Sequence, residues 1–241
     1  MKVYIATLFL WFLVLPTILA ANDQSDFDPK QLTLLVTQGD FQSAVAKTDH
    51  AIAYYRDLVA ADPHEQKAGF ILNNLQVGYY MCAKAQLLAL RGNFEGADKI
   101  LSGAKTYASN HPGFSGFLTE GGWETVVSAT HAFILEKAGK RDEAAKAYDS
   151  PPTIYGQGRL ALLALEGGDD TKARQLALAA GINPTAYFVL GRLEEKDRHG
   201  EAAREWYNKA WVELQTVKNV FLPVYFCEGP AIARAQKRLE K

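Results

Sequence analysis

The sequence predicts an all-α fold in which antiparallel helix pairs stack side by side. Alanine and leucine, both strong helix formers, are abundant beyond residue 28. Runs of alternating β-branched residues, which are typical of strands, are missing. Glycine and proline recur at intervals that would end one helix and begin the next. With 48% hydrophobic and 22% charged residues, the 241-residue chain has an ordinary globular composition.

The first 21 residues have the features of a secretory signal peptide. Lys2 is their only charged residue, and residues 3–15 form a mostly apolar run that Pro16 ends. A charged start, an apolar core and a small residue at the cut are typical of such peptides. We expect cleavage after Ala20 or the alanine that follows it. The alternative is an uncleaved helix that anchors the protein, since the run approaches the roughly 17–20 residues needed to span a membrane.

Cleavage would leave residues 22–28 as a flexible, acidic N-terminus and a secreted or periplasmic protein with no stable membrane span. The formal net charge of −1 provides no basic stripe for phosphates, so no nucleic-acid partner is expected. Disulfides persist in exported proteins. Cys82 and Cys227 are nevertheless far apart in the sequence, and we predict that they are unbridged and behave as small apolar residues.

Glycine, proline and capping residues set the expected helix boundaries. Helices are predicted over about 30–38, 40–61, 64–90, 93–109, 123–138, 141–149, 157–166, 169–180, 184–196 and 199–217, and from Pro230 onward. Asn93 is a predicted N-cap. The glycine-rich stretch 111–122 is predicted to be a loop. Residues 218–241 are predicted to cap the end of the array, with Ile232 on the buried face of an amphipathic helix.

Five of the turns share one residue pattern. A glycine or polar residue is followed five positions later by alanine, four later by a second seam residue, and often three later by another alanine. The pattern occurs at Gly39/Ala44/Thr48/Ala51, Gly92/Ala97/Leu101/Ala104, Gly139/Ala144/Tyr148, Gly168/Ala173/Ala177/Ala180 and Arg198/Ala203/Tyr207/Ala210. The turn residue lets the chain reverse, and the alanine lets the second helix approach the first closely.

The last full unit resembles the tetratricopeptide repeat (TPR), whose pattern is W-x2-L-G-x2-Y followed by A-x3-F. The matching residues are Tyr187 in place of tryptophan, Leu190, Gly191, Ala203 and Tyr207. Glu194 replaces the expected tyrosine and departs from the pattern. The resemblance covers most of residues 29–217, with irregular spacing between units, and is strongest in residues 154–217.

This resemblance implies a TPR-like solenoid whose first helices line a concave groove where partners bind. Carried over unit by unit, the predicted binding residues are Tyr79, Cys82, Phe133, Tyr155, Phe188 and Arg192. Aromatic residues and arginine are the types that most often anchor interfaces. The alternative is that each aromatic belongs to the ordinary core between helices.

Catalytic and metal-binding motifs are missing from the sequence, including His-Glu-x-x-His, the phosphate loop and the Gly-x-Ser-x-Gly elbow. We therefore predict a protein that is not an enzyme and holds no cofactor or metal. Glu120 and Glu124 flank Trp123 beside the glycine-rich loop, and two such carboxylates suggest an alternative, an all-α glycan-acting enzyme. Acidic residues are also common at a helix N-terminus, where they favourably meet the helix dipole.

The function expected from the sequence is that of an exported, non-catalytic binding or scaffold protein. It would use the concave face of a helical-repeat array to bind a protein, a peptide or an envelope component. A small-molecule carrier with an aromatic-lined pocket is the second possibility, and the glycan-acting enzyme is the third.

Overall fold

The computed structural model describes residues 29–61, 68–111, 122–150, 153–216 and 228–239. Within these ranges the chain forms eleven α-helices and no β-strand. The helices are α1 (Pro29–Gln38), α2 (Phe41–Ala61), α3 (Ala68–Leu90), α4 (Phe94–Asn110), α5 (Trp123–Lys137), α6 (Arg141–Tyr148), α7 (Ile154–Glu166), α8 (Asp170–Ala179), α9 (Pro184–Lys196), α10 (Gly200–Thr216) and α11 (Gly229–Leu239). The predicted all-α class is confirmed.

Several expectations fall on parts of the chain outside the described residues. These are the signal peptide and acidic N-terminus (residues 1–28), most of the glycine-rich loop with Glu120 (residues 112–121), and the first part of the cap with Cys227 (residues 217–227). They stay predictions. Among the helices that the structure describes, none is long and apolar enough to span a membrane.

Most helices begin and end within two residues of their predicted limits, and α7 shows why one prediction was wrong. This helix starts at Ile154, not at residue 157, because the Thr153 side chain accepts a 2.9 Å hydrogen bond from the Gly156 N–H and caps it. Gly156 therefore lies inside the first turn. A Cβ atom at this position would sit 2.2 Å from the carbonyl oxygen of Tyr148, so the glycine permits a close approach between helices.

The five patterned turns have the same backbone geometry. Their first residues all have positive φ angles, from 63° to 84°, and they are Gly39, Gly92, Gly139, Gly168 and Arg198. In each turn this residue donates to the carbonyl three residues back, and the next residue donates to the carbonyl five residues back. These two bonds define the Schellman ending of a helix. The sequence pattern therefore marks one repeated reversal of the chain.

The small residues of the pattern form the contact between the two helices of each pair. The alanine five residues after each turn residue is fully buried, and the seam residue four positions later is at most 3% exposed. The residues concerned are Ala44, Ala97, Ala144, Ala173 and Ala203, followed by Thr48, Leu101, Tyr148, Ala177 and Tyr207. The pairs α1/α2, α3/α4, α5/α6, α7/α8 and α9/α10 thus form TPR-like units, as the resemblance predicted.

Neighbouring units stack through more than one kind of helix pair. Helix α3 packs against α5, and α7 packs against α9, while each second helix also contacts the first helix of the next unit. Buried side chains form one apolar core from α1 to α5 and a second from α5 to α11, and α5 contributes to both. Helix α5 therefore connects the two apolar cores.

The C-terminal helix does more than cover the last unit. Helix α11 packs against α10, as a capping helix would, and it also contacts α1. A Cβ atom at Gly229 would lie 2.5 Å from the Thr37 hydroxyl oxygen, so the first turn of α11 meets α1 closely. Helix α11 therefore contacts both the first and the last repeat unit.

We predict that Arg198→Gly raises the free energy of unfolding by about 0.5–1 kcal/mol. Arg198 has a φ of 63° and is the one non-glycine residue with positive φ among the described residues. An L side chain is strained in this region, whereas glycine is not. Urea denaturation measures the change. Arg198→Ala is the control, because it keeps a Cβ atom and should leave stability nearly unchanged; an equal gain from both variants would contradict the backbone explanation.

We predict that Gly191→Ala destabilises the protein by about 1–3 kcal/mol, because the added methyl overpacks the core. Its Cβ atom would lie 2.5 Å from the ring of Tyr207, which is fully buried. Gly103→Ala is the matched control, since its Cβ atom would meet the flexible end of Met81 at 3.3 Å. The control should be neutral or stabilising, as alanine favours helix. Thermal and urea unfolding report both changes.

Candidate functional site

The six predicted binding residues divide sharply by burial. Five of them are at most 5% exposed, namely Tyr79, Cys82, Phe133, Tyr155 and Phe188, and they lie in the two cores. Their side chains pack helix against helix, so a partner could contact them only if the helices separated. Arg192, on α9, is exposed. The binding role of the six residues stays a prediction, and Arg192 is the member positioned for it.

Cys82 is a free, fully buried thiol on α3. Burial raises its pKa to about 12, although a hydrogen bond to Thr130 acts in the opposite direction. Burial also raises the pKa of Tyr79 well above the usual tyrosine value. A thiol with so high a pKa remains protonated near neutral pH and is a poor nucleophile. Cys82 is therefore packed as a small apolar residue, one of the two roles expected for it, and its binding role stays a prediction.

Arg192 lines a cavity of about 560 Å³, which we call the charged cavity. Its lining residues are Leu165, Glu166, Asp170, Arg192, Glu195, Lys196 and Arg238, from α7, α8, α9 and α11. Six of the seven are ionisable, so the wall is charged and not aromatic. The carrier alternative expected an aromatic-lined pocket, and this cavity does not have that character.

Most charges around the cavity are already paired. Lys196 bonds Asp170, and Arg238 donates from its Nε and Nη2 to the Glu195 carboxylate at 3.2 and 2.9 Å. Arg192 makes no ion pair with any described residue, and its guanidinium lies 5.9 Å from the centroid of the Phe188 ring. The cavity thus presents one guanidinium whose hydrogen-bonding capacity is open to an anionic group.

A buried ion network lies away from the cavity, and sequence reasoning did not identify it. Arg159 on α7 is 2% exposed and bonds two carboxylates, Glu136 from α5 and Glu228 from the residue before α11. Glu136 and Glu228 are 7% and 4% exposed. We call these three residues the Arg159 network. Only the tertiary fold brings them together, and the single sequence signal is an arginine within a mostly apolar helix.

The Arg159 network is electrostatically strong. Burial by itself would raise the pKa of Glu136, but the charges and hydrogen bonds of Arg159 and Lys137 lower it to about 2. Arg159 donates its Nε–H to Glu136 at 3.1 Å, and Tyr148 donates its hydroxyl to the same carboxylate at 2.9 Å. Because buried charges are costly unless paired, this network constrains how α5, α7 and α11 are arranged.

The remaining polar clusters have structural explanations. Glu194, Asp197 and His199 place ligand atoms within 4.8 Å of one another, a spacing compatible with a metal. However, Arg174 already donates to Glu194 at 2.6 Å and to Asp197 at 3.0 Å. Its guanidinium therefore supplies the cation of this cluster. Arg174 belongs to α8, so Glu194, which departs from the TPR pattern, ties two units together.

Of the two carboxylates in the glycan-acting alternative, Glu124 lies among the described residues. Glu124 is exposed in the first turn of α5, where a negative charge meets the positive end of the helix dipole. Glu120 lies outside the described residues. The glycan-acting reading stays an alternative.

Comparison with known proteins finds no matching family model and no matching curated protein. Among solved structures, the chain is similar to BtubC from P. vanneervenii, at 14% identity and a TM-score of 0.47, over 83% of this chain and 91% of that one. It is also similar to a tetratricopeptide repeat protein from Parabacteroides merdae, at 13% identity and a TM-score of 0.47, over 92% and 87%. The type IV pilus biogenesis factor PilW is similar at 12% identity and a TM-score of 0.41, over 91% and 92%.

We predict that the protein loses stability as the pH falls from about 5 towards 2. The pKa of Glu136 is about 2 in the folded chain, against an ordinary value of 4.5. In this window the unfolded chain therefore takes up a proton that the folded chain excludes, which favours unfolding by on the order of 3 kcal/mol.

Chemical denaturation at pH 5, 4 and 3 tests the assignment to Glu136. Glu136→Gln should be less stable at pH 7, because Arg159 loses a partner, and its stability should change less between pH 5 and 3. Glu143→Gln, at a surface carboxylate that is 63% exposed, is the control and should keep the wild-type slope. Identical slopes for wild type and Glu136→Gln would contradict the assignment.

Proposed function

We propose that this chain is an exported, non-catalytic binding protein that holds a partner protein or peptide on the surface of its helical-repeat array. The observation that carries the proposal is the charged cavity, where side chains from two repeat units and α11 meet around Arg192, which is exposed and has no ion pair among the described residues. Helical-repeat arrays commonly use such extended surfaces, formed by successive units, to bind partners.

The chemistry of the cavity favours an acidic segment of the partner. The guanidinium of Arg192 can donate two parallel hydrogen bonds to one carboxylate, an arrangement that combines charge with fixed geometry. The other basic residues of the wall, Lys196 and Arg238, already bond Asp170 and Glu195. A partner carboxylate would therefore bind at Arg192 without breaking an existing ion pair.

The size of the cavity also bears on the alternatives. A volume of about 560 Å³ lies within the roughly 300–1,000 Å³ typical of small-molecule pockets. A polar, anionic small molecule is therefore the second candidate occupant of this cavity. An apolar ligand is disfavoured, because Leu165 is the only apolar lining residue of the described cavity.

Export is part of the proposal and rests on the N-terminal sequence. The charged residue, apolar run, proline and small residues of the first 21 positions are those of a cleaved signal peptide. N-terminal sequencing of protein recovered from the native host, together with fractionation of its envelope, tests this part independently. A mature chain that begins at residue 21 or 22 is expected, and an intact first residue would favour the membrane anchor.

We predict that Arg192→Glu weakens partner binding at least tenfold while the protein remains folded. The charge reversal turns an attractive site for a carboxylate into a repulsive one, and Arg192 is exposed, so the core is unaffected. Partners crosslinked to tagged wild-type protein in native envelopes are quantified by mass spectrometry and compared with those of the variant. The strongest wild-type partner is then purified and titrated against both proteins.

Lys172→Glu is the matched control for this experiment. It makes the same change of charge at an exposed residue of α8 that does not line the cavity. The control should retain the wild-type partners. Equal recovery of those partners by wild type and Arg192→Glu would overturn the proposed use of the cavity.

A further inference from the structure

The C-terminal helix covers a surface formed by helices that are distant in the sequence. We infer that α11 is an internal ligand of a helix-binding surface formed by α1, α7 and α10, and that a partner's amphipathic helix, preceded by a carboxylate, binds there by replacing it. This inference rests on the proposed binding function and names the class of partner segment that binds beside the charged cavity.

The first support is the set of contacts that α11 and the residue before it make with the array. Its N-terminal end reaches α7 through Glu228, which accepts a hydrogen bond from Nη1 of Arg159. Gly229 meets Thr37 of α1, and Ile232 and Ala235 are fully buried. These contacts come from helices that are distant in sequence, so the surface belongs to the assembled array and to no single repeat.

The second support is the bonding of Arg159 without Glu228. Glu136 accepts hydrogen bonds from the Nε and Nη2 of Arg159, and it receives further bonds from Lys137 and Tyr148. The Arg159–Glu136 pair would therefore persist if α11 left. Nη1 alone would lose its partner, at a position where an unpaired guanidinium N–H is costly. A carboxylate from another chain would restore that bond.

The third support is the limited attachment of α11 to the array. The helix has 11 residues, and an isolated helix of that length is only marginally stable in water. Its other polar contacts are at exposed positions, where Arg238 bonds Glu195, Gln236 bonds Asn208 and Arg204 donates to the Leu239 carbonyl. Exposed ties of this kind contribute little to stability. Helix α11 is therefore suited to local release while the repeats remain folded.

The seating of α11 specifies what a competing segment must contain. A carboxylate is needed opposite Arg159, and the next residue must be small, because a Cβ atom at Gly229 would overlap Thr37. Apolar residues are then needed at the positions of Ile232 and Ala235, which are four and seven residues after the carboxylate. This spacing places both on one face of a helix, as in helix-in-groove recognition.

A labelled synthetic peptide with the sequence of residues 228–239 is the probe, and its binding to the full-length chain is measured by fluorescence anisotropy. In wild type the internal helix competes with the peptide. Ile232→Glu in the chain places a charge in the buried seat and releases α11, so the peptide should bind at least tenfold more tightly. Arg234→Glu, at an exposed position of α11, is the matched control and should bind like wild type.

Substitutions in the peptide form the second part of the experiment. Glu228→Gln in the peptide removes the charge opposite Arg159, and Gly229→Val adds methyl groups against Thr37. Each change should weaken binding to the Ile232→Glu chain at least tenfold. Unchanged affinity for the Glu228→Gln peptide would overturn the role of Arg159 as a carboxylate receptor.

Hydrogen exchange measured by mass spectrometry shows whether α11 has been released. In Ile232→Glu, amides of α11 should exchange rapidly while those of α4 stay protected. Continued protection of α11, or its release without tighter peptide binding, overturns the inference. Where Ile232→Glu unfolds the repeats, Gly229→Val in the chain provides the release. The probe here is a synthetic peptide, whereas the cavity proposal is tested by partner recovery with Arg192→Glu, so failure of one is distinguishable from failure of the other.

Discussion

The close approach of two helices across an alanine is the constraint on which this structure depends. In each unit a left-handed turn residue reverses the chain, and an alanine five positions later is fully buried against the preceding helix. Since the turn fixes where the second helix begins, the same position faces inward every time. A larger side chain there would push the helices apart. Stacking of the units, and every surface formed between them, follows from this repeated contact.

The Arg159 network adds a second constraint, which acts between helices that are far apart in the sequence. A buried guanidinium needs carboxylates near it, and here they come from α5 and from the residue before α11. Apolar packing alone tolerates sliding of one helix over another, whereas paired buried charges favour one arrangement. The network therefore specifies how the last helix meets the array and places a strong, directional bond at the point where α11 crosses to α1.

Aromatic residues and charged residues have different roles in this structure. The aromatic side chains of the first helices pack one helix against another, as the burial of Phe133 and Phe188 shows. Charged residues at the ends of α7, α8, α9 and α11 line the cavity instead. Recognition is consequently expected from hydrogen bonds and charge at helix ends, next to a helix-binding surface that α11 fills. The two regions share Arg238, which belongs to α11 and also lines the cavity.

The sequence by itself determined the helices, their pairing and the turns, because these depend on residues close together in the chain. Asn93 caps its helix as predicted, and Arg198 takes the left-handed conformation that its place in the pattern required. Tertiary structure alone decided which aromatics are buried, that Arg159 meets Glu228, and that α11 contacts α1. A helix that is apolar on several faces does not reveal which face a neighbour covers, and contacts across the whole array depend on the sum of small rotations between units. Local helix propensity therefore does not predict these long-range contacts.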